Sequence, residues 1–257
     1  MFLKAKVKSF LQNMGYKITR VSPDDDRGPI EFTAEELDIA EHIISNKLTL
    51  VSLERLWTTL LACKYALDHG TDGDFVECGV WRGGNAIAAA SIFRLYGSTK
   101  KVWLFDTFSG MTEPTKDDVG LIDNRPAHNE FIAQQKESHN EWCYASLSDV
   151  KRNFKDRGLL NDNVIFVEGD VVETLSIPSN IPERICLLRL DTDWYESTKK
   201  ELEVLYPLLS IGGSLLIDDY GHWAGSKKAV DEYFAVHGGR PFFHFTDSVG
   251  RAGVKIN

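Results

Sequence analysis

The chain has 257 residues, of which 43% are hydrophobic and 26% are charged, and its formal net charge is −9 at pH 7. This composition is typical of a globular protein with one large or two small domains, and the negative charge argues against a nucleic-acid partner, because phosphate binding needs a basic surface. No apolar run could span a bilayer, and lysines interrupt the N-terminus where a secretory signal needs an apolar core, so we expect a cytoplasmic protein.

The N-terminal region is predicted to be helical. Residues 1–20 contain five basic residues and no acid, and their apolar residues can share one helical face. We expect an arm that packs on the domain or forms the contact of a homodimer or homotetramer; a membrane-surface helix is the alternative. After a polar linker at 22–28, a capping-box pattern at Thr33 and Glu36 predicts a helix to about residue 45, and a second helix is expected over 52–68. We therefore divide the chain into a helical region, 1–70, and an α/β domain, 71–257.

From residue 74 onward, strands and helices alternate. The five strands of this pattern are predicted at 75–80, 101–106, 164–168, 185–190 and 213–217, and helices at 84–96, 147–157, about 197–209 and 226–236. The segments 241–246 and 251–256 flank a turn and predict an antiparallel hairpin. Together these elements predict an α/β fold with a doubly wound, mostly parallel sheet of seven strands. The polar stretch at 110–142 has no convincing period, so we expect a lid or a substrate loop.

The four cysteines, at positions 63, 78, 143 and 186, lie far apart and have no paired spacing. This pattern predicts reduced thiols rather than disulfides or a cysteine metal site.

Two of the apolar strands each end in a pair of carboxylates. Asp191 and Asp193 follow the strand at 185–190, and Asp218 and Asp219 follow the strand at 213–217. Parallel strands end at the same edge of a sheet, where ligands bind, and four acids brought together there are costly unless a cation lies among them. Carboxylate oxygens favour Mg²⁺ over zinc. The alternative is that each pair caps the helix that follows it.

A turn rich in glycine follows the first strand, over residues 77–84. Glycine at a strand-to-helix turn lets a ligand approach the backbone, but the spacing is not that of a pyrophosphate-binding fingerprint. Glu77 is instead placed to attract an ammonium group, and Asp106, at the end of the second strand, to accept hydrogen bonds from a ribose diol. These features suit S-adenosylmethionine, a nucleoside that carries an amino acid and no phosphate. The alternative is a plain tight turn.

Four segments of this chain, 77–84, 104–111, 190–198 and 212–220, resemble the macrocin O-methyltransferase family, which modifies sugars on macrolide and aminocoumarin antibiotics. The resemblance covers roughly residues 71–257, and its last two motifs are specific to the family. It implies a class I, Rossmann-like methyltransferase that uses S-adenosylmethionine and Mg²⁺, with a sugar of a glycosylated natural product or polysaccharide precursor as acceptor.

The resemblance also implies roles for particular residues. By position, Asp191, Asp218 and Asp219 resemble the metal ligands, and Asp193 resembles the general base. This chain has Thr192 where the family usually has glycine, and a β-branched residue there could reshape the pocket. The implied cofactor-binding residues are Glu77, Cys78, Gly79, Val80, Trp81, Arg82, Gly83, Gly84, Asp106, Thr107, Ser109, Asp170 and Asp191.

The expected reaction is deprotonation of a sugar hydroxyl by Asp193 or by His222, followed by in-line attack on the sulfonium methyl group. Three alternatives compete with it. A metal-dependent glycosyltransferase could bind a nucleotide sugar through Asp191 and Asp193, and a phosphatase could use a similar acid pair, although it would be expected on the first strand. Both leave Glu77 unexplained. An inactive scaffold of the same fold is the third, and the intact acids argue against it.

Overall fold

A computed structural model describes residues 28–257. The predicted N-terminal arm at 1–20, its role in oligomer assembly and most of the linker at 22–28 lie outside the described residues. The chain divides into two compact units, and the one that spans Ile39–Asn257 contains the whole sheet. In the other unit, Thr33 N donates to Glu36 Oε2 (2.7 Å) and Glu36 N donates to Thr33 Oγ1 (3.3 Å), so the predicted capping box is confirmed.

The order of helices and strands follows the prediction closely. The helices are α1 (Ala34–Ser45), α2 (Leu53–Asp68), α3 (Gly84–Leu95), α4 (Ala127–Gln134), α5 (Leu147–Asp156), α6 (Val171–Thr174), α7 (Tyr195–Leu205) and α8 (Ala224–His237). The strands are β1 (Asp74–Cys78), β2 (Val102–Asp106), β3 (Val164–Glu168), β4 (Ile185–Leu190), β5 (Leu209–Ile217), β6 (His244–Phe245) and β7 (Arg251–Val254). Strand β5 begins earlier than predicted, because α7 ends at Leu205 and a short 3-10 turn leads directly into the strand.

The sheet has seven strands in the order β3-β2-β1-β4-β5-β7-β6. The first five are parallel, and β7 pairs antiparallel with both β5 and β6. The predicted fold class is therefore confirmed. Chain order reverses between β1 and β4, and in open α/β sheets the crevice at such a reversal is where ligands bind.

Helices cover both faces of the sheet, which explains the apolar sequences of its central strands. Strand β4 is buried along its whole length, including the charged Arg189, whose side chain is 2% exposed. Helix α2, which the sequence placed in the N-terminal region, lies in the same compact unit as the sheet and packs on α3. No helix among the described residues is long and apolar enough to cross a membrane.

The stretch at 110–142 is more ordered than its sequence suggested. It contains α4, and isolated bridges join Val119 to Pro126 and Gly120 to Trp223. The sequence pattern missed this helix because it is only eight residues long and buries a single side chain, that of Ala127. The expected loop is therefore a structured cover that packs against the residues following β5.

Candidate active site

The carboxyl ends of the central strands surround a cavity of about 370 Å³, a volume typical of a small-molecule site. A smaller cavity of about 60 Å³ adjoins it near the ends of β2 and β3, and both are lined by Gly79, Asp106 and Asp191. Residues of the main cavity with reactive side chains are Arg55, Glu77, Asp106, Arg125, Cys143, Asp191, Asp193, Asp218, Asp219 and His222.

Three aspartates converge in the main cavity. One carboxylate oxygen from each of Asp191, Asp193 and Asp219 lies within 4.8 Å of the others, and Asp219 Oδ2 is buried with no hydrogen-bond partner among the described residues. Burial and the charge of Asp191 raise the pKa of Asp193 to about 7. Burial and neighbouring carboxylates also raise the pKa of Asp219 well above its usual range. The group therefore holds negative charge that nearby side chains do not fully offset.

Arg189 and Arg55 form ion pairs with the acids that surround this group. Arg189 Nη1 donates to Glu77 Oε1 (2.8 Å) and Asp191 Oδ2 (2.6 Å), and its Nη2 donates to Asp218 Oδ1. The second oxygen of Asp218 accepts from Arg55 Nη1, and Arg55 Nε donates to Asp247 Oδ2 (2.8 Å). Both oxygens of Asp218 are thus held by guanidinium groups.

The arrangement of the acids differs from the predicted ligand set in one respect. The sequence grouped Asp218 with Asp191 and Asp219, whereas Asp193 lies beside those two residues in the structure and Asp218 faces the arginines. Sequence analysis missed both arginines. A single charge inside the buried strand β4 was a usable signal for Arg189, because a buried charge needs partners. Nothing in the sequence of α2 connects Arg55 with the acids.

The glycines of the turn after β1 leave space that protein neighbours occupy, a role that sequence analysis did not identify. A Cβ atom at Gly79, where φ is +83°, would lie 1.9 Å from the carbonyl oxygen of Asp191. A Cβ atom at Gly84 would lie 2.6 Å from the carbonyl oxygen of Leu48, and one at Gly83 would lie 3.2 Å from the side chain of Phe154. The turn still lines the main cavity through its backbone.

Asp106 holds this turn in place. Its Oδ2 accepts from the backbone N–H groups of Val80 (2.6 Å) and Trp81 (3.0 Å), and its Oδ1 accepts from that of Phe108 (2.7 Å). Burial raises the pKa of Asp106, and these three hydrogen bonds work against that rise. Since each carboxylate oxygen can accept two hydrogen bonds, the side chain keeps capacity for a ligand hydroxyl.

Glu77 offers an acceptor that protein leaves unused. Its side chain is buried, its Oε1 accepts from Arg189, and its Oε2 has no partner among the described residues. Burial raises the pKa of Glu77 to about 7, although Arg189 acts in the opposite direction. A buried, unpaired carboxylate oxygen beside the cavity fits the ammonium group of an amino acid.

The thirteen predicted cofactor-binding residues fall into two sets. Those that line one or both cavities are Glu77, Gly79, Val80, Trp81, Gly84, Asp106, Thr107, Asp170 and Asp191. Cys78, Arg82, Gly83 and Ser109 line neither cavity: the first is fully buried in the core, and Arg82 Nη1 donates to Lys47 O (2.9 Å).

His222 and a group of tryptophans complete the main cavity. Burial and the nearby Arg55 lower the pKa of His222, whose ring lies edge-on to Trp223 at 4.9 Å between centroids. Trp223 Nε1 donates to Asp193 Oδ2 (3.2 Å), and its ring packs edge-to-face with Trp142 and Trp194. Sequence analysis did not single out Trp142 or Trp223, which lie far apart in the chain and meet only because α4 and its neighbours fold over the sheet edge.

Comparison with known proteins adds an independent line of information. The family described as Macrocin-O-methyltransferase (TylF) matches residues 4–250. The 8-demethyl-8-(2,3-dimethoxy-alpha-L-rhamnosyl)-tetracenomycin-C 4'-O-methyltransferase of Streptomyces olivaceus is 38% identical over 74% of this chain and 69% of its own length. The mycinamicin III 3''-O-methyltransferase of Micromonospora griseorubida is 36% identical over 80% of this chain and 78% of its own length.

Similar solved structures are also methyltransferases. The O-methyltransferase NovP superposes with a TM-score of 0.71 at 31% identity, covering 81% of this chain and 82% of its own. At 14% identity, the SAH-bound Podospora anserina methyltransferase PaMTH1 shares the fold alone, with a TM-score of 0.52 over 94% of this chain and the whole of its own.

Proposed function

The chain belongs to the macrocin O-methyltransferase family, and from that premise we propose how its carboxylates and its two cavities take part in methyl transfer. It is an O-methyltransferase that moves a methyl group from S-adenosylmethionine to a sugar hydroxyl. The observation that best supports a metal-assisted mechanism is that Asp191, Asp193 and Asp219 meet in the cavity that the turn after β1 also lines. Family membership also favours methyl transfer over the glycosyltransferase and scaffold alternatives.

The donor set suits a hard divalent cation, which we propose to be Mg²⁺. All the converging donors are carboxylate oxygens, and Asp219 Oδ2 is buried without a partner among the described residues. We assign Asp191 and Asp219 as ligands, and Asp218 as the residue that anchors Arg55 and Arg189 beside them. When bound, the cation lowers the pKa of a hydroxyl group that it coordinates.

We propose that the cofactor lies across both cavities. Glu77 Oε2 would accept from its ammonium group, Asp106 would accept from one ribose hydroxyl, and Asp170 would lie beside the adenine base at the smaller cavity. When bound, S-adenosylmethionine supplies an electrophilic methyl group. The turn after β1, held by Asp106, fixes the backbone against which the cofactor is oriented.

We assign Asp193 as the proton acceptor. One of its oxygens lies within 4.8 Å of an oxygen of each proposed ligand, and Trp223 fixes its carboxylate through the indole N–H. A carboxylate beside a cation is a weak base, which is sufficient because the bound cation would lower the pKa of the hydroxyl group. His222 also lines the cavity and is the second candidate, but it is not among the residues whose donor atoms converge, which are Asp191, Asp193 and Asp219. Positioning of the hydroxyl between Asp193 and the methyl donor supplies much of the rate.

The proposed acceptor is a sugar of a glycosylated natural product or of a polysaccharide precursor. The tryptophan rings that line the main cavity, Trp81, Trp142 and Trp223, support this, because aromatic faces pack against the apolar faces of sugars. The test is to incubate the protein with S-adenosylmethionine and Mg²⁺ together with a rhamnosylated aglycone, a nucleotide sugar or an oligosaccharide. Mass spectrometry should detect one added methyl group on the sugar of at least one acceptor. Cleavage of the nucleotide sugar without methylation would contradict the proposal.

We further propose that residues 1–20 mediate assembly into a homodimer or homotetramer. The support is compositional, since this segment has apolar residues at spacings compatible with one helical face, five basic residues and no acid. Sedimentation of the chain with and without these residues tests the proposal: loss of the oligomer is expected, and an unchanged oligomer would contradict it.

A further inference from the structure

Glu201, on α7, is a buried carboxyl group that the proposed chemistry does not use. Its side chain is fully buried, its Oε1 accepts from Thr192 Oγ1 (2.8 Å), and its Oε2 has no hydrogen-bond partner among the described residues. Burial raises the pKa of Glu201 to about 8, and the hydrogen bond from Thr192 opposes that rise only in part. The group is therefore largely a neutral carboxylic acid at pH 7, with one partner of known identity.

That partner forms part of a cavity wall. Thr192 lies between Asp191 and Asp193, and its hydroxyl lies 2.9 Å from Ser197 Oγ. Thr192 and Ser197 both line the smaller cavity, whereas Glu201 does not. The Glu201 carboxyl group therefore contacts the cavity wall, through Thr192, from the protein side. Asp170 lines the same cavity, where it caps α6 by accepting from Val172 N (2.8 Å).

The backbone around Thr192 needs external support. Asp193 has a φ of +67°, in the left-handed region that residues other than glycine rarely adopt, and such conformations persist only when surrounding contacts fix them. The Thr192 carbonyl oxygen accepts from Trp194 N (2.7 Å), and its side chain is held by Glu201. A leucine at position 201 would fill similar space without desolvating a carboxyl group, so the hydrogen bond to Thr192 is what the carboxyl group adds.

We propose that Glu201 is a positioning residue for the nucleoside base of the methyl donor: through Thr192 it fixes the wall of the smaller cavity against which the base packs. The inference rests on the proposed function, because it takes this cavity as the adenine site. It assigns Thr192 and Ser197 as wall residues in addition to Asp170.

The experiment compares Glu201→Leu, Glu201→Gln and Thr192→Val with a control, Glu203→Leu, which changes an exposed glutamate on the same helix. Calorimetry with S-adenosylhomocysteine measures the affinity, and thermal unfolding measures stability. Glu201→Leu and Thr192→Val should each weaken binding roughly five- to tenfold, as expected for loss of one hydrogen bond. Glu201→Gln keeps an acceptor for Thr192 and should bind within about twofold of the unchanged protein, as should Glu203→Leu.

The double variant Glu201→Leu with Thr192→Val decides whether the two residues act as one unit. If Glu201 acts through Thr192, the double variant loses no more affinity than either single variant. Additive losses, or a Glu201→Leu protein that is less stable but binds with unchanged affinity, would overturn the inference. If Glu201→Leu does not fold, Thr192→Val decides by the same criterion. Failure of the unchanged protein to bind S-adenosylhomocysteine would instead defeat the proposed function, and the inference with it.

Discussion

The negative charges of the aspartates that follow β4 and β5, which form an acidic edge of the sheet, are offset in two different ways. On one side, Asp218 gives both of its oxygens to guanidinium groups, one from Arg55 and one from Arg189. On the other side, Asp193 and Asp219 place carboxylate oxygens close together, and burial together with neighbouring carboxylates raises the pKa of both. The protein itself therefore neutralises Asp218, whereas Asp193 and Asp219 form the part of the group where we propose that a cation binds. Substitutions on the two sides should therefore fail differently.

The largest expected effect is on turnover, from Asp219→Asn. The substitution removes a proposed ligand, and loss of cation assistance is worth several kcal/mol of barrier, so kcat should fall by about three orders of magnitude. Stability should be unchanged or higher, because the substitution removes one negative charge from a buried group of carboxylates. The rate is measured as methyl transfer to the acceptor found in the panel above, with thermal unfolding alongside. Unchanged turnover would rule out Asp219 as a ligand.

Arg189→Met should mainly destabilise the protein. The substitution leaves Glu77, Asp191 and Asp218 without their shared buried partner, and breaking a buried ion pair from one side costs about 3–5 kcal/mol. Urea denaturation measures this as a lower free energy of unfolding. The exposed Arg152, paired with Asp149, provides the matched control: Arg152→Met should change stability by less than about 1 kcal/mol. Equal effects of the two substitutions would contradict the account.

The pH dependence of stability should differ with and without a divalent cation. Because the pKa of Asp193 is raised from 3.8 to about 7 in the folded state, the folded chain binds this proton more tightly than the unfolded chain. The stabilisation is complete below a pH of about 4 and is lost as pH rises through about 7.

In the presence of a chelator, the free energy of unfolding should therefore fall as the pH rises from about 4 to about 7. Mg²⁺ should reduce this fall by offsetting the carboxylate charge. The control is Asp193→Asn, which has no titrating group at this position. Its free energy of unfolding should depend less on pH, and the curves with and without Mg²⁺ should differ less. A loss of stability that is the same with and without Mg²⁺ would argue against a cation at this group.

The smallest expected effect comes from Trp223→Phe. Phenylalanine keeps an aromatic ring against Trp142 and Trp194 but removes the N–H that donates to Asp193. We expect kcat to fall roughly three- to tenfold, the value of one hydrogen bond, and stability to fall modestly because the smaller ring leaves space in a buried cluster. Trp194→Phe is the comparison, since Trp194 Nε1 donates to Thr112 O and not to an acid. A larger loss of kcat in Trp194→Phe would contradict a specific role for Trp223.

The sheet and its acidic edge could be predicted from sequence because both depend on local patterns. Apolar strands that end in acids are visible in the order of residues, and parallel strands bring their carboxyl ends together. The pairing of Leu190 with Ile217 then places Asp191 opposite Asp218, as the strand assignments implied.

The charge balance of that edge could not be predicted in the same way. Arg55 lies on α2, more than 160 positions before Asp218, and only the packing of that helix brings the two together. The packing role of the glycines could not be predicted either, because a sequence shows where a Cβ atom is missing but not which atoms occupy that space. At Gly79 that space is taken by the carbonyl group of Asp191, which follows β4, much later in the chain.

The most direct test of the central claim is calorimetric titration with Mn²⁺, a hard cation with ligand preferences similar to those of Mg²⁺. The account predicts about one cation per chain in the unchanged protein, no detectable binding in Asp219→Asn, and binding retained in Asp231→Asn, which changes an aspartate paired with Lys227 away from the cavity. Undiminished binding by Asp219→Asn, or no binding by the unchanged protein, would contradict it.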